Sequence, residues 1–125
     1  MNDVFSNETF IDRCNAIGFG PAYGQMTRPE WGDALIRLVP EHMRGGVIRY
    51  IAHGIIPGGF LTALLQNDLM AAVGKADATN QRCIVDWCTF LHNYAPQGCF
   101  GSPAAVRSWA ERGGLIGIRA EQDEA

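Results

Sequence analysis

Residues 79–94, TNQRCIVDWCTFLHNY, are the part of the sequence that is most informative about packing. At a helical period of about 3.6 residues, most of their apolar side chains fall on one broad arc. A helix this apolar lies either at the centre of a helical domain or at an interface between subunits. The arc contains Cys83, Ile84, Trp87, Cys88, Phe90, Leu91 and Tyr94, and the polar side contains Arg82, Asp86, Thr89 and Asn93.

Proline, glycine and capping residues divide the rest of the chain into further helices, and no run alternates as a strand does. The sequence therefore predicts an all-α fold, a compact array of about five helices with an additional N-terminal helical arm. The predicted helices are 6–17 in the arm and 27–39, 40–53, 58–73, 79–94 and 103–112 in the array. The boundary residues are Thr27 and Glu30 (a capping box), Pro40, Gly54, Asp77 or Thr79, and the Ser102-Pro103 pair.

This punctuation also suggests how the chain is organised. Residues 1–25 form an N-terminal extension or arm, residues 26–114 form the helical domain, and residues 115–125 form a C-terminal tail. The tail begins apolar and finishes acidic, so we expect its last five or six residues to be disordered.

Composition restricts the function classes. The formal net charge of −3 and the sequence pI of about 5.5 argue against a general nucleic-acid binder, which would carry a basic excess. The sequence shows neither a secretory leader nor an apolar run of about 18 residues, which a membrane span needs. We therefore expect a cytoplasmic protein with free thiols at its four cysteines.

Three motifs carry a resemblance to known proteins. The turn HGIIPGGF (53–60), the triplet Asn67-Asp68-Leu69 and the Gly-Ser-Pro helix start at 101–103 resemble a group of small phage and prophage proteins. The resemblance covers roughly residues 27–114. It implies a bacterial or phage setting and an accessory role such as counter-defence, and it brings no catalytic residues with it.

A stripe of polar residues on the helix 40–53 is the first candidate site. His42, Gly46, Arg49 and His53 share one face because they are spaced by four, three and four residues. Gly46 would allow a ligand to approach closely, and a guanidinium binds phosphate or carboxylate with two parallel hydrogen bonds. The alternative is an ordinary solvated helix face.

The turn 54–59 follows that stripe directly. Its glycines Gly58 and Gly59 open the next predicted helix, where free backbone N–H groups can meet an anion. The turn is not a Walker loop, because the Gly-Lys-Ser/Thr ending is missing. The alternative is a plain connection between two helices.

Four further residues complete the candidate ligand site. Asp68 projects from the middle of the apolar arc of the predicted helix 58–73, with Asn67 beside it. A buried carboxylate is costly unless it is paired, so Asp68 either lines a pocket, caps a helix or pairs with an arginine. Tyr94 and Phe100 flank the loop 95–99 and could stack on a base.

Metal binding and catalysis find little support. Cys88, His92 and Cys99 could supply three ligands, but their spacing lacks the paired Cys-x-x-Cys or His-x-x-x-His pattern that zinc sites favour. No nucleophile elbow, zinc-protease or kinase motif is present. We therefore expect no metal, no cofactor and no catalysis.

Two hypotheses of function remain. In the first, a homo-oligomer sequesters a small anionic, nucleotide-like host signal, with phosphate on Arg49 and His53 and a base stacked on an aromatic ring. In the second, a helical inhibitor or adaptor blocks a host defence or regulatory protein.

Overall fold

The computed structural model describes residues 31–124, and this part of the chain contains helices and no strand. The predicted all-α fold is confirmed. No helix in this range has the length and apolar character needed to span a bilayer. The predicted arm and the Thr27–Glu30 capping box lie outside the described residues. The eight helices are α1 Trp31–Leu38, α2 Glu41–His53, α3 Gly59–Leu65, α4 Leu69–Lys75, α5 Ala78–Arg82, α6 Ile84–Asn93, α7 Pro103–Glu111 and α8 Gly114–Glu124.

The predicted ends of α2 are confirmed. Pro40 precedes its first residue, and Gly54 follows its last with a φ of +71°. The left-handed conformation lets the Gly54 N–H donate to the Tyr50 carbonyl at 2.8 Å, which satisfies a carbonyl that the helix end leaves open.

Two predicted N-caps are also present. The Asp77 carboxylate accepts the Asn80 N–H at 2.7 Å at the start of α5. The Ser102 hydroxyl accepts the Ala105 N–H at 3.0 Å, with Pro103 as the first residue of α7. Of the two proposed caps for the apolar helix, the structure therefore selects Asp77.

The predicted single helix 58–73 is wrong. Asn67 adopts a φ of +66° and ends α3. Its N–H donates to the Leu64 carbonyl, and the Asp68 N–H donates to the Ala63 carbonyl. This pattern is a Schellman motif with asparagine in the left-handed position. Asp68 then caps α4 by accepting the Ala71 N–H at 3.2 Å. Because the helix breaks here, Asp68 is exposed and does not project into the core.

The apolar stretch 79–94 is two helices, which meet at Cys83. Trp87, Phe90 and Leu91 of α6 are buried, while Cys88 is exposed. One side of α6 therefore belongs to the core, and the predicted arc is wider than the side that is buried.

The expected disorder of the C-terminal tail is wrong. Helix α8 runs to Glu124 and packs against α2. Leu115 and Ile118 are buried in that contact. Residues 114–124 are thus part of the helical domain.

Helix α2 packs against α1 and α8, while α3 packs on α4 and α7. Two buried hydrogen bonds connect α2 to the last third of the chain. The Tyr50 hydroxyl donates to the Cys99 carbonyl at 2.6 Å, and the Trp109 ring N–H donates to the Tyr50 carbonyl at 3.0 Å. These two hydrogen bonds hold α2, the helix that contains Arg49, in a fixed position relative to the last third of the chain.

Candidate functional site

A cavity of about 380 Å³ lies between α2 and the turn that follows it. We call it the Arg49 cavity. Helix α2 contributes His42, Met43, Gly46 and Arg49, and the other walls are residues 55–58 and Leu61. The structure therefore brings together most of the predicted polar stripe and the glycine turn.

Gly46 leaves the helix surface bare beside the Arg49 side chain. A methyl group added at Gly46 would lie 4.0 Å from Arg49 Nη2, so the guanidinium reaches back over the glycine. Within residues 31–124 this guanidinium has no hydrogen-bond or ion-pair partner. Arg44 differs, since it donates to the Ile36 and Val39 carbonyls at the end of α1. Arg49 is the cation available to a ligand in this cavity.

His42 is held at the edge of the same cavity. Its Nε2 lies 2.9 Å from Asp77 Oδ2, and both side chains are about half exposed. The pKa of the Asp77 carboxyl is lowered, mainly because it accepts the Asn80 N–H and further because of the His42 contact. The carboxylate therefore stays charged and offsets any positive charge on His42.

The turn gives the cavity an apolar wall. Ile55 and Ile56 both line the cavity. Ile55 is 52% exposed to solvent and Ile56 is 50% exposed. Gly58 precedes α3 with no side-chain cap. Gly59, the first residue of α3, lies outside the cavity lining, and a methyl group there would contact Lys75 Cδ at 3.4 Å.

A second cavity of about 190 Å³ contains other predicted residues. We call it the Asn67 cavity. Asn67, Cys88 and His92 supply its polar atoms, and its apolar walls are Leu64, Leu69, Leu91 and Phe100. Asn67 and Phe100 therefore line the same cavity, but it is not the cavity that Arg49 lines.

The remaining predicted residues do not join either cavity. His53 is exposed at the end of α2, and Asp68 caps α4. The Tyr94 ring lies 5.8 Å from the Arg37 guanidinium carbon, and its hydroxyl accepts from Arg37 at 3.4 Å. None of Asn67, Asp68, Tyr94 and Phe100 lines the Arg49 cavity, so the structure does not bring these residues together with Arg49 as the sequence predicted.

The three residues weighed as metal ligands are distributed between surface and core. Cys88 and His92 are exposed on α6, whereas Cys99 is fully buried. Burial raises the pKa of the Cys99 thiol, which keeps it protonated. The described part of the chain holds no group of three or more residues placed to bind a metal.

The sequence reasoning missed the apolar half of the Arg49 cavity. This half is formed by Met43, Ile55, Ile56, Pro57 and Leu61, and none of them is among the ligand-binding residues predicted from the sequence. Two adjacent isoleucines in a turn bounded by glycines were the available signal, since large aliphatic side chains in a short turn are unusual.

Comparisons with protein families, curated proteins and solved structures find no match to this chain.

The substitution Gly46→Ala is expected to stabilise the protein by about 0.5–1 kcal/mol, because alanine lowers the entropy cost of the helix interior. The added methyl group meets only Arg49 Nη2 at 4.0 Å, an ordinary contact. Urea denaturation measures the change. Gly74→Ala in α4 is the matched control, since nothing lies within 4 Å there. Loss of stability at position 46 with a gain at position 74 would show that the space above Gly46 is not open.

Proposed function

We propose that this protein binds a small anionic ligand in the Arg49 cavity and sequesters it without chemical conversion. The observation that carries the proposal is the position of the Arg49 guanidinium. It faces a cavity of about 380 Å³ and has no partner within the described residues.

The chemistry of the cavity supports capture of an oxyanion. A guanidinium presents two parallel N–H groups to a carboxylate or phosphate, and such charge-assisted bonds are among the stronger ones in proteins. Gly46 removes the side chain that would otherwise compete for this space, and residues 55–58 close the opposite side. Cavities of this size are typical of small-molecule sites.

Sequestration, rather than turnover, is the simplest use of such a site. The side chains that line it are one arginine, one histidine held by Asp77 and five apolar residues. This set offers a binding charge but no activated nucleophile. In the phage or prophage setting that the sequence resemblance supports, the role would be counter-defence by removal of a host signal.

The test is ligand retention and its dependence on Arg49. Native mass spectrometry of protein purified from bacterial cells is expected to show a bound small molecule, which Arg49→Met should lack. In parallel, thermal unfolding is measured with inorganic phosphate, AMP and octanoate. A ligand at 100 times its Kd adds about 2.7 kcal/mol of stability. Arg49→Met removes charge-assisted bonds worth about 1.5–3 kcal/mol, which is a roughly 10- to 100-fold loss of affinity.

Arg107→Met is the matched control for that experiment. Arg107 is an exposed arginine on α7 and lies outside the Arg49 cavity. It should retain the ligand and the thermal shift. No shift with any of the three anions, or an equal loss in both variants, would overturn the proposal.

A second candidate function is binding of a host protein through α4. Leu69, Met70 and Val73 lie on one side of this helix, and Met70 is 86% exposed. Exposed apolar patches of this kind are typical of protein interfaces. A host protein retained by the wild type and by Arg49→Met, but not by Met70→Glu, would favour this function over ligand capture.

A further inference from the structure

We infer that the ligand of the Arg49 cavity is an amphipathic monoanion, with one oxyanion head and an aliphatic body. This inference rests on the proposed function and names the ligand class of the same site. It differs from the nucleotide-like ligand that the sequence suggested.

Charge is the first argument. The cavity presents one permanent cation, Arg49, while His42 is already paired with Asp77 at 2.9 Å. A single carboxylate or other monoanion is balanced by one guanidinium. A 5′-nucleotide such as AMP carries about 1.5 to 2 negative charges near neutral pH, and the charge beyond one would be left without a counter-charge in a partly desolvated site.

The walls are the second argument. Nucleoside sites commonly offer an aromatic ring for stacking and hydroxyl or amide side chains for the sugar and base edges. Among the described residues that line this cavity, none is aromatic apart from His42, and none is Ser, Thr, Asn or Gln. Tyr94 and Phe100, the candidate stacking residues, lie elsewhere.

The exposed isoleucines are the third argument. Ile55 and Ile56 are half exposed, and together with Met43, Pro57 and Leu61 they make an aliphatic surface next to the guanidinium. Burial of aliphatic surface is favourable roughly in proportion to its area. An alkyl chain attached to a carboxylate would cover these side chains while its head reaches Arg49.

Isothermal titration calorimetry with four probes tests the inference on the full chain. Octanoate supplies head and body, acetate the head alone, 1-octanol the body alone, and AMP the nucleotide alternative. Octanoate should bind one molecule per chain, and acetate and 1-octanol should each bind at least about tenfold more weakly. AMP binding tighter than octanoate overturns the inference and leaves the proposed function intact. If no anion binds in an Arg49-dependent way, both fail.

Two variants separate site binding from nonspecific adsorption of the alkyl chain. Ile56→Ser removes part of the aliphatic wall, so octanoate affinity should fall several-fold while acetate binding stays unchanged. Val85→Ser removes an aliphatic side chain that is 76% exposed on α6 and outside the cavity, so it should change neither. Equal effects of the two serine variants on octanoate, or a stoichiometry well above one, would overturn the inference.

Discussion

Gly114→Ala is expected to cost more than about 3 kcal/mol of folding free energy, a large share of the roughly 5–15 kcal/mol that stabilises a typical domain. A Cβ atom at this position would lie 2.6 Å from the Ala52 carbonyl carbon, 2.6 Å from the Gly54 nitrogen and 2.7 Å from the Ala52 oxygen. These are backbone atoms, so no side-chain rotation can relieve the overlap. Helix α8 would have to move away from α2.

The contact is reciprocal, which explains why the loss should be large. A Cβ atom at Gly54 would meet the Gly114 nitrogen at 2.9 Å, so the two glycines allow the end of α2 and the start of α8 to touch backbone to backbone. Leu115 and Ile118 are buried next to this contact. Separation of the helices would expose both side chains as well as relieve the overlap.

A control is needed because Gly114 also has a φ of +67°, which an L-residue adopts at a cost of about 1–2 kcal/mol. Gly98 has a φ of +91°, and a methyl group there would meet Trp109 at an ordinary 4.0 Å. Gly98→Ala should therefore show the conformational cost without the steric overlap. Urea denaturation followed by circular dichroism compares the variants, and equal losses at the two positions would refute the close contact of α2 and α8.

Local signals predicted the fold class and several helix boundaries. Pro40, Gly54, Asp77 and Ser102 each act through the backbone within four residues, and the structure shows each of them at a helix boundary. Such effects are independent of tertiary context, since a cap satisfies the N–H or carbonyl groups of its own helix.

The break between α3 and α4 was missed because the apolar pattern continues across it. Asn67 and Asp68 nevertheless indicate a boundary between two helices, because asparagine tolerates the left-handed conformation at a helix end and aspartate favours the N-cap of the next helix. The apolar periodicity predicts one continuous helix with Asp68 in its apolar arc; of the three roles open to Asp68, the structure shows the helix cap.

The extent of α8 depends on a contact that no local pattern reveals. Glycine at 114 and 117 and acidic residues near the C-terminus are typical of a tail. The helix packs against α2 because Gly114 fits against residues 52–54, which lie about sixty positions earlier in the chain. The polar half of the Arg49 cavity, in contrast, could be predicted from a local pattern. His42, Gly46 and Arg49 share a face of one helix, so their spacing in the sequence is enough to bring them together.

Trp87→Ala is expected to destabilise the protein by about 3–5 kcal/mol, the usual cost of removing a large buried aromatic side chain. Trp87 has no exposed surface. Its ring meets the Phe60 ring edge-on at 5.6 Å between centroids, so it joins α6 to α3. The substitution leaves a void and removes the hydrogen-bond donor to Asn80.

The hydrogen bond can be separated from the packing. The Trp87 ring N–H donates to Asn80 Oδ1 at 3.1 Å, and Asn80 is only 2% exposed. Trp87→Phe keeps an aromatic ring but leaves the Asn80 oxygen unpaired, while Asn80→Leu leaves the Trp87 N–H unpaired. Each single change carries a penalty of about 1–3 kcal/mol for the orphaned group, in addition to its change in packing.

The double variant decides whether this bond is made. With both partners gone, no polar atom of the pair remains unsatisfied, so the combined loss should be smaller than the sum of the single losses by roughly 1 kcal/mol or more. Urea denaturation of the four proteins gives the coupling free energy directly. Additive losses would mean that Asn80 and Trp87 do not interact.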